Sequence, residues 1–196
     1  MRRILCFLAL CGAAAIAAAQ APTTTSTQMP ARPLAQPAAG TPAPGFLADY
    51  VAEVDAVGKK LVDLAQAEPA DKYGWRPAPG VRSIGEVYMH VVGGNSTIPS
   101  FLGAKRMDGV TRDSEKTVTD KAKIVDLLQK SIANARAAGM GVTEADLDKK
   151  VKTFGGREMT ERQVLLLILT HMHEHLGQSI AYARTNGITP PWSEGG

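Results

Sequence analysis

Cysteine is almost absent from this chain. Its 196 residues contain two, Cys6 and Cys11, both within the first twenty positions. Those positions read as a secretory signal peptide. Arg2 and Arg3 form a positive start, Ile4 to Ile16 is a short uncharged apolar stretch, and Ala17, Ala18 and Ala19 offer a small-residue cleavage site. The stretch is too short to span a bilayer comfortably, so stable membrane insertion after processing is not expected. Leu10 is too large for the residue before a lipidated cysteine, which argues against an anchor at Cys11. The processed protein would then have no disulfide, no thiolate ligand and no thiol nucleophile of its own. It would be periplasmic or secreted.

Charge of one sign is also scarce. The chain has 22 basic and 19 acidic residues, and loss of Arg2 and Arg3 lowers the formal charge from +3 to +1. There is no dense Lys/Arg stripe with interleaved aromatics, so nucleic acid is not an expected partner. A Gly-rich phosphate loop, a dinucleotide fingerprint and a Ser-His-Asp order are missing as well.

Residues 21–45 hold six of the twelve prolines, a Thr/Ser run at 23–27 and one charge, Arg32. So little apolar material cannot offset the entropy of ordering, and this Pro/Thr/Ala-rich segment is expected to be a disordered linker. The remainder, 46–196, is long enough for one domain with a full core.

That domain reads as all-α. A first helix carries Phe46, Leu47, Tyr50, Val51, Val54, Val57, Leu61 and Leu64 at helical spacing and ends before Pro69. A second opens with the capping-box pattern Ser83-Ile84-Gly85-Glu86, and Gly93-Gly94 and Pro99 are expected to kink or end it. A third starts near Thr119-Asp120 and closes at Gly139 and Gly141. A fourth opens with Thr160-Glu161-Arg162-Gln163 and runs to about Asn186, with Gly187 beyond its end. Val164 to Leu169 is apolar all round, which implies burial against several neighbours. No strand alternation of useful length is visible. The expected fold is a four-helix bundle with long connections between helices 1 and 2 (70–82) and helices 3 and 4 (141–159), the latter with a short helix at 144–149.

All four histidines fall on the second and fourth helices: His90, and His171, His173 and His175. His171 and His175 stand four residues apart, on one face and separated by about 6 Å of rise, which suits capture of one ion. His90 from a facing helix would complete a three-nitrogen site with an open position, as catalytic sites have. His173 lies about 200° around the helix from its neighbours and should face away. A single histidine on an apolar face is more often a hydrogen-bonded core residue, so burial without metal is the competing account. Glu174 does not belong to a His-Glu-x-x-His motif. Polar candidates near the site are Glu86, Asn95, Glu174 and Gln178, with Glu86 also suited to the helix cap. Gly94, one turn past His90, either leaves room for a ligand or marks a helix end. Asn95-Ser96-Thr97 fits a glycosylation sequon, a pattern common by chance.

The stretch from Trp75 through Arg76-Pro77-Ala78-Pro79-Gly80-Val81-Arg82-Ser83-Ile84-Gly85-Glu86 to His90 resembles the first motif of the DinB/YfiT-like superfamily. Leu165 to Gln178, with His171, His175 and Gly177, resembles its second, and Ala183 to Ser193 its usual ending. The resemblance covers the whole folded part. It implies a four-helix bundle with a three-histidine site for zinc or nickel, which here would be His90, His171 and His175. Many such proteins carry a further histidine where this chain has Glu174, and a carboxylate there could accept a hydrogen bond from an imidazole. Characterised members include S-transferases and isomerases that use an external low-molecular-weight thiol. Low-molecular-weight thiols are scarce outside the inner membrane, which keeps water open as the nucleophile and a hydrolase open beside a transferase. The alternative is a non-catalytic metal-binding or stress-related bundle. A small-molecule substrate fits the first reading, and a homodimer is compatible with either.

Overall fold

A computed structural model describes residues 45–193 of the chain. The expected signal peptide and all of the expected linker except Gly45 lie outside the described residues. Four long helices make the body: α1 (Phe46–Ala67), α2 (Ile84–Thr97), α4 (Lys121–Met140) and α5 (Glu161–Thr185), with a single turn, α3 (Ser114–Thr117), between α2 and α4. α1 and α2 each pack against both α4 and α5, so they occupy opposite corners of the bundle. The helix bearing His90 is therefore a direct neighbour of the helix bearing His171 and His175.

The caps act as the sequence predicts. Ser83 Oγ accepts from the Glu86 backbone N–H while the Glu86 carboxylate accepts from the Ser83 N–H, and Thr160 and Gln163 repeat this at α5. Asp120 caps α4 by accepting from Lys123 N. α1 has no cap on its own flank. Glu144, in the connection before α5, accepts from Leu47 N at 3.1 Å instead. The core lies between the four helices. Leu61, Leu64, Val87, Tyr88, Ile124, Leu128, Leu165, Ile168 and Met172 are fully buried. Truncating one such leucine or isoleucine to alanine costs about 2–5 kcal/mol.

The structure departs from expectation in five places. α2 runs straight through Gly93-Gly94 to Thr97, and the chain then tightens into a 3-10 helix, Ile98–Leu102, around Pro99. The link from α2 to α4 is a third long connection. A two-stranded antiparallel hairpin, β1 (Lys150–Lys152) with β2 (Glu158–Thr160), pairs Val151 with Met159 across Gly155 and Gly156, both with positive φ. Strands of three residues are too short to show alternation in a sequence. At 144–149 only a 3-10 turn forms, Glu144–Asp146. Leu166 is 42 % exposed, so the apolar stretch of α5 is not buried all round. Among the described residues, no helix is long and apolar enough to cross a membrane.

Candidate metal centre

His90 sits two turns into α2, where the cap at Ser83 has fixed the helix start. His171 and His175 lie on either side of the midpoint of α5. The three rings converge, with centroids 5.0 Å (His90–His171), 4.7 Å (His90–His175) and 4.6 Å (His171–His175) apart. One nitrogen from each lies within 4.8 Å of the others, so the three histidines could hold one divalent metal ion. Imidazole nitrogen suits zinc, nickel, copper or iron.

Each ring is held differently. His175 Nδ1–H donates to Gln178 Oε1 at 2.9 Å, and Gln178 Nε2 donates to the Tyr182 hydroxyl at 3.0 Å. Tyr182 in turn meets the Trp75 ring edge-on at 5.4 Å, tying the connection after α1 to this chain of contacts. His90 Nδ1 is 2.9 Å from Glu115 Oε2, and the other oxygen of that carboxylate accepts from Arg82 Nε at 2.7 Å. In both rings the engaged Nδ1 leaves Nε2 as the remaining nitrogen. His171 has no such partner. Its Nδ1 is buried and makes no hydrogen bond within the protein. A buried, unpaired imidazole nitrogen is costly, and a metal is one group that would satisfy this cluster. The ring itself lies against Gly94, where an added Cβ would come within 2.7 Å of His171 Nδ1. Gly94 therefore makes room for the His171 ring.

The electrostatics favour the neutral form of His171 and His175, the form that ligates. Burial, then the neighbouring His175 and His90 and the Arg82 charge, lowers His171 to about 4. Burial, with the neighbouring His90 and Arg82, lowers His175 against the Gln178 hydrogen bond and the Glu174 charge. Burial works to raise the Glu115 carboxyl, but the bonds from Arg82 and His90 outweigh it and hold the group below its ordinary value.

Of the other residues singled out in the sequence, Gln178 reaches the site by holding His175. Glu86 closes the α2 cap and accepts from Arg76 Nη2 at 3.2 Å. Asn95 is fully buried toward α4, with Nδ2 3.3 Å from Ser131 Oγ, so it neither faces the histidines nor offers an accessible sequon. Glu174 is exposed and acts on His175 only through its charge. The carboxylate expected there is supplied by Glu115. His173 is exposed and bonds back to the Leu169 carbonyl, as its position on the helix requires.

A helical bundle with a three-histidine cluster between neighbouring helices defines the class. The DinB superfamily model matches residues 53–179, and the chain belongs to that family. Two solved structures share the fold. A DinB-like protein from Bacillus cereus ATCC 10987 is 23% identical with a TM-score of 0.62, and the match covers 72% of this chain and 93% of that one. A DinB-like protein, YjoA, from Bacillus subtilis is 24% identical with a TM-score of 0.56 and the same two coverages. None of the curated proteins is significantly similar in sequence.

Proposed function

We propose that this protein is an exported metal-dependent transferase or hydrolase acting on a small molecule, with zinc or nickel held by His90, His171 and His175. The observation that carries the reading is the cluster itself: three imidazole nitrogens within mutual reach, one on a ring with a buried, unpartnered nitrogen. When bound, a divalent ion with three neutral ligands keeps its full charge and supplies Lewis acidity at the remaining position. The chain's own residues prepare that position. Gln178 and Glu115 fix the two rings they touch, Gly94 seats the third, and Arg82 places a positive charge at the rim. The absence of cysteine after residue 11 means that a sulfur nucleophile would have to arrive with the substrate, as an external low-molecular-weight thiol. Export, supported by Arg2, Arg3, the apolar stretch and the alanines that follow, favours water in that role.

The test is a screen of zinc- and nickel-loaded protein against electrophiles with added thiols and against esters, beside His171→Ala. The reading expects turnover that His171→Ala abolishes. Tight metal binding with no turnover in either arm would instead indicate a non-catalytic metal-binding bundle.

A further inference from the structure

We propose that Glu115 is the positioning residue that presents His90 to the metal, and that metal binding in turn fastens the connection on which Glu115 sits. The inference rests on the metal reading above. Glu115 lies on α3, a single turn in the stretch 103–120 between the 3-10 helix and α4. One carboxylate oxygen is 2.9 Å from His90 Nδ1 and the other is 2.7 Å from Arg82 Nε. A carboxylate only accepts, so Nδ1 must carry the proton, and the His90 lone pair is left on Nε2. His90 is the cluster's one member on α2, and its ring is held by the Glu115 carboxylate. Without that carboxylate, the ring is free to rotate and to exchange tautomers.

Arg82 makes the interaction directional. Its guanidinium holds the carboxylate from the side of the connection before α2, so Glu115 is pinned between two segments already fixed by the Ser83 cap. Other ties also join 103–120 to the body: Ala104, buried, donates its N–H to the Pro99 carbonyl at 3.2 Å, Ser114 is buried, and Asp120 caps α4. Met107 N donates to Ser96 Oγ at 3.0 Å, and Val110 and Val118 pack partly buried against the core. Much of the stretch is exposed. Coupling between two binding events is reciprocal. If Glu115 strengthens metal binding by ordering His90, metal on His90 strengthens the hold on Glu115 and so on 103–120.

The experiment uses the intact protein and zinc chloride. Zinc affinity is measured by chelator competition for wild type, Glu115→Gln and Glu115→Ala. Nitrogen-edited NMR reads the His90 tautomer without zinc, and hydrogen exchange follows 103–120 with and without zinc. Glu115→Ala should bind zinc about 10–100-fold more weakly, the usual cost of removing a ligand's hydrogen-bond partner. Glu115→Gln should be weakened less, since its amide oxygen still accepts. His90 should carry its proton on Nδ1 in wild type and should exchange between the Nδ1–H and Nε2–H tautomers in Glu115→Ala. Zinc should slow exchange across 103–120 in wild type and much less in Glu115→Ala. Tight zinc binding in wild type that Glu115→Ala or Glu115→Gln leaves unaltered would overturn the inference alone, as would wild-type exchange in 103–120 that ignores zinc. A wild type that binds no zinc would overturn the metal reading and this inference with it. Glu115→Gln preserves shape and the exchange comparison needs no variant, so an unfolded Glu115→Ala would leave the test decisive.

Discussion

Gly94 shows how one missing side chain builds the centre. α2 and α5 are neighbours, and the His171 ring occupies the space that a Cβ at residue 94 would fill. Alanine is the better helix former by about 1 kcal/mol, so Gly94→Ala favours α2 locally while displacing the His171 ring. The expected outcome is weaker metal binding without loss of helix. Chelator competition measured with circular dichroism checks it, and an unchanged affinity would refute the role given to Gly94. At this scale the three histidines were legible because helical spacing alone puts 171 and 175 together. The same rule argues against two of the polar candidates. Asn95 lies five residues past His90, about 140° around the helix, and so faces α4; Glu174 is about 100° from His175 and faces solvent. Glu115 was not legible. It stands 25 residues from its partner in a connection with no periodicity, and only the need of a ligating histidine for an acceptor hints at it.

The helices hold the site because their starts are fixed. Ser83 sets where α2 begins, and hence where His90 points; Thr160 does the same for α5 and its two histidines. Replacing an N-cap Ser or Thr by Ala costs about 1 kcal/mol. Ser83→Ala and Thr160→Ala should therefore each lower the urea midpoint of the metal-free protein. Metal stoichiometry should survive both, because the backbone of each helix remains. A midpoint unchanged in both variants would count against the caps as anchors. These caps could be read from the sequence, since each needs only four residues in order. The hairpin and the 3-10 helix could not. The former is set by a tertiary fit, with Phe154 edge-on to Phe101 at 4.7 Å, and the latter by Pro99 acting on a helix already packed.

Across the whole molecule, two buried groups give opposite responses to acid. His171 is lowered to about 4 from 6.5. Between those values the unfolded chain takes up a proton that the fold refuses, so stability falls as pH drops through that window. Glu68 behaves in reverse. Burial raises it to about 7 from 4.5, against the Tyr88 hydrogen bond and the Lys121 charge. The fold then takes up a proton between those values that the unfolded chain does not, so stability rises as pH drops through that window. The two slopes oppose each other where they overlap. Glu68→Gln removes one of them. Its metal-free form should lose stability more steeply than wild type between about pH 6.5 and 4.5, as urea titrations followed by tryptophan fluorescence would show; parallel curves would contradict the assignment. The bundle class was legible because four long amphipathic segments admit few other arrangements. The acidic group buried at the end of α1 was not, because Glu68 reads as an ordinary polar residue before Pro69.

The proposed chemistry depends on three histidines holding one metal ion. Metal content by mass spectrometry, on protein made without an affinity tag and beside His90→Ala and His171→Ala, is the decisive measurement. Wild type should carry about one equivalent of zinc or nickel, as expected of one three-histidine site, and both variants should carry none. Wild-type protein that holds no metal even after reconstitution would contradict the assignment of the triad.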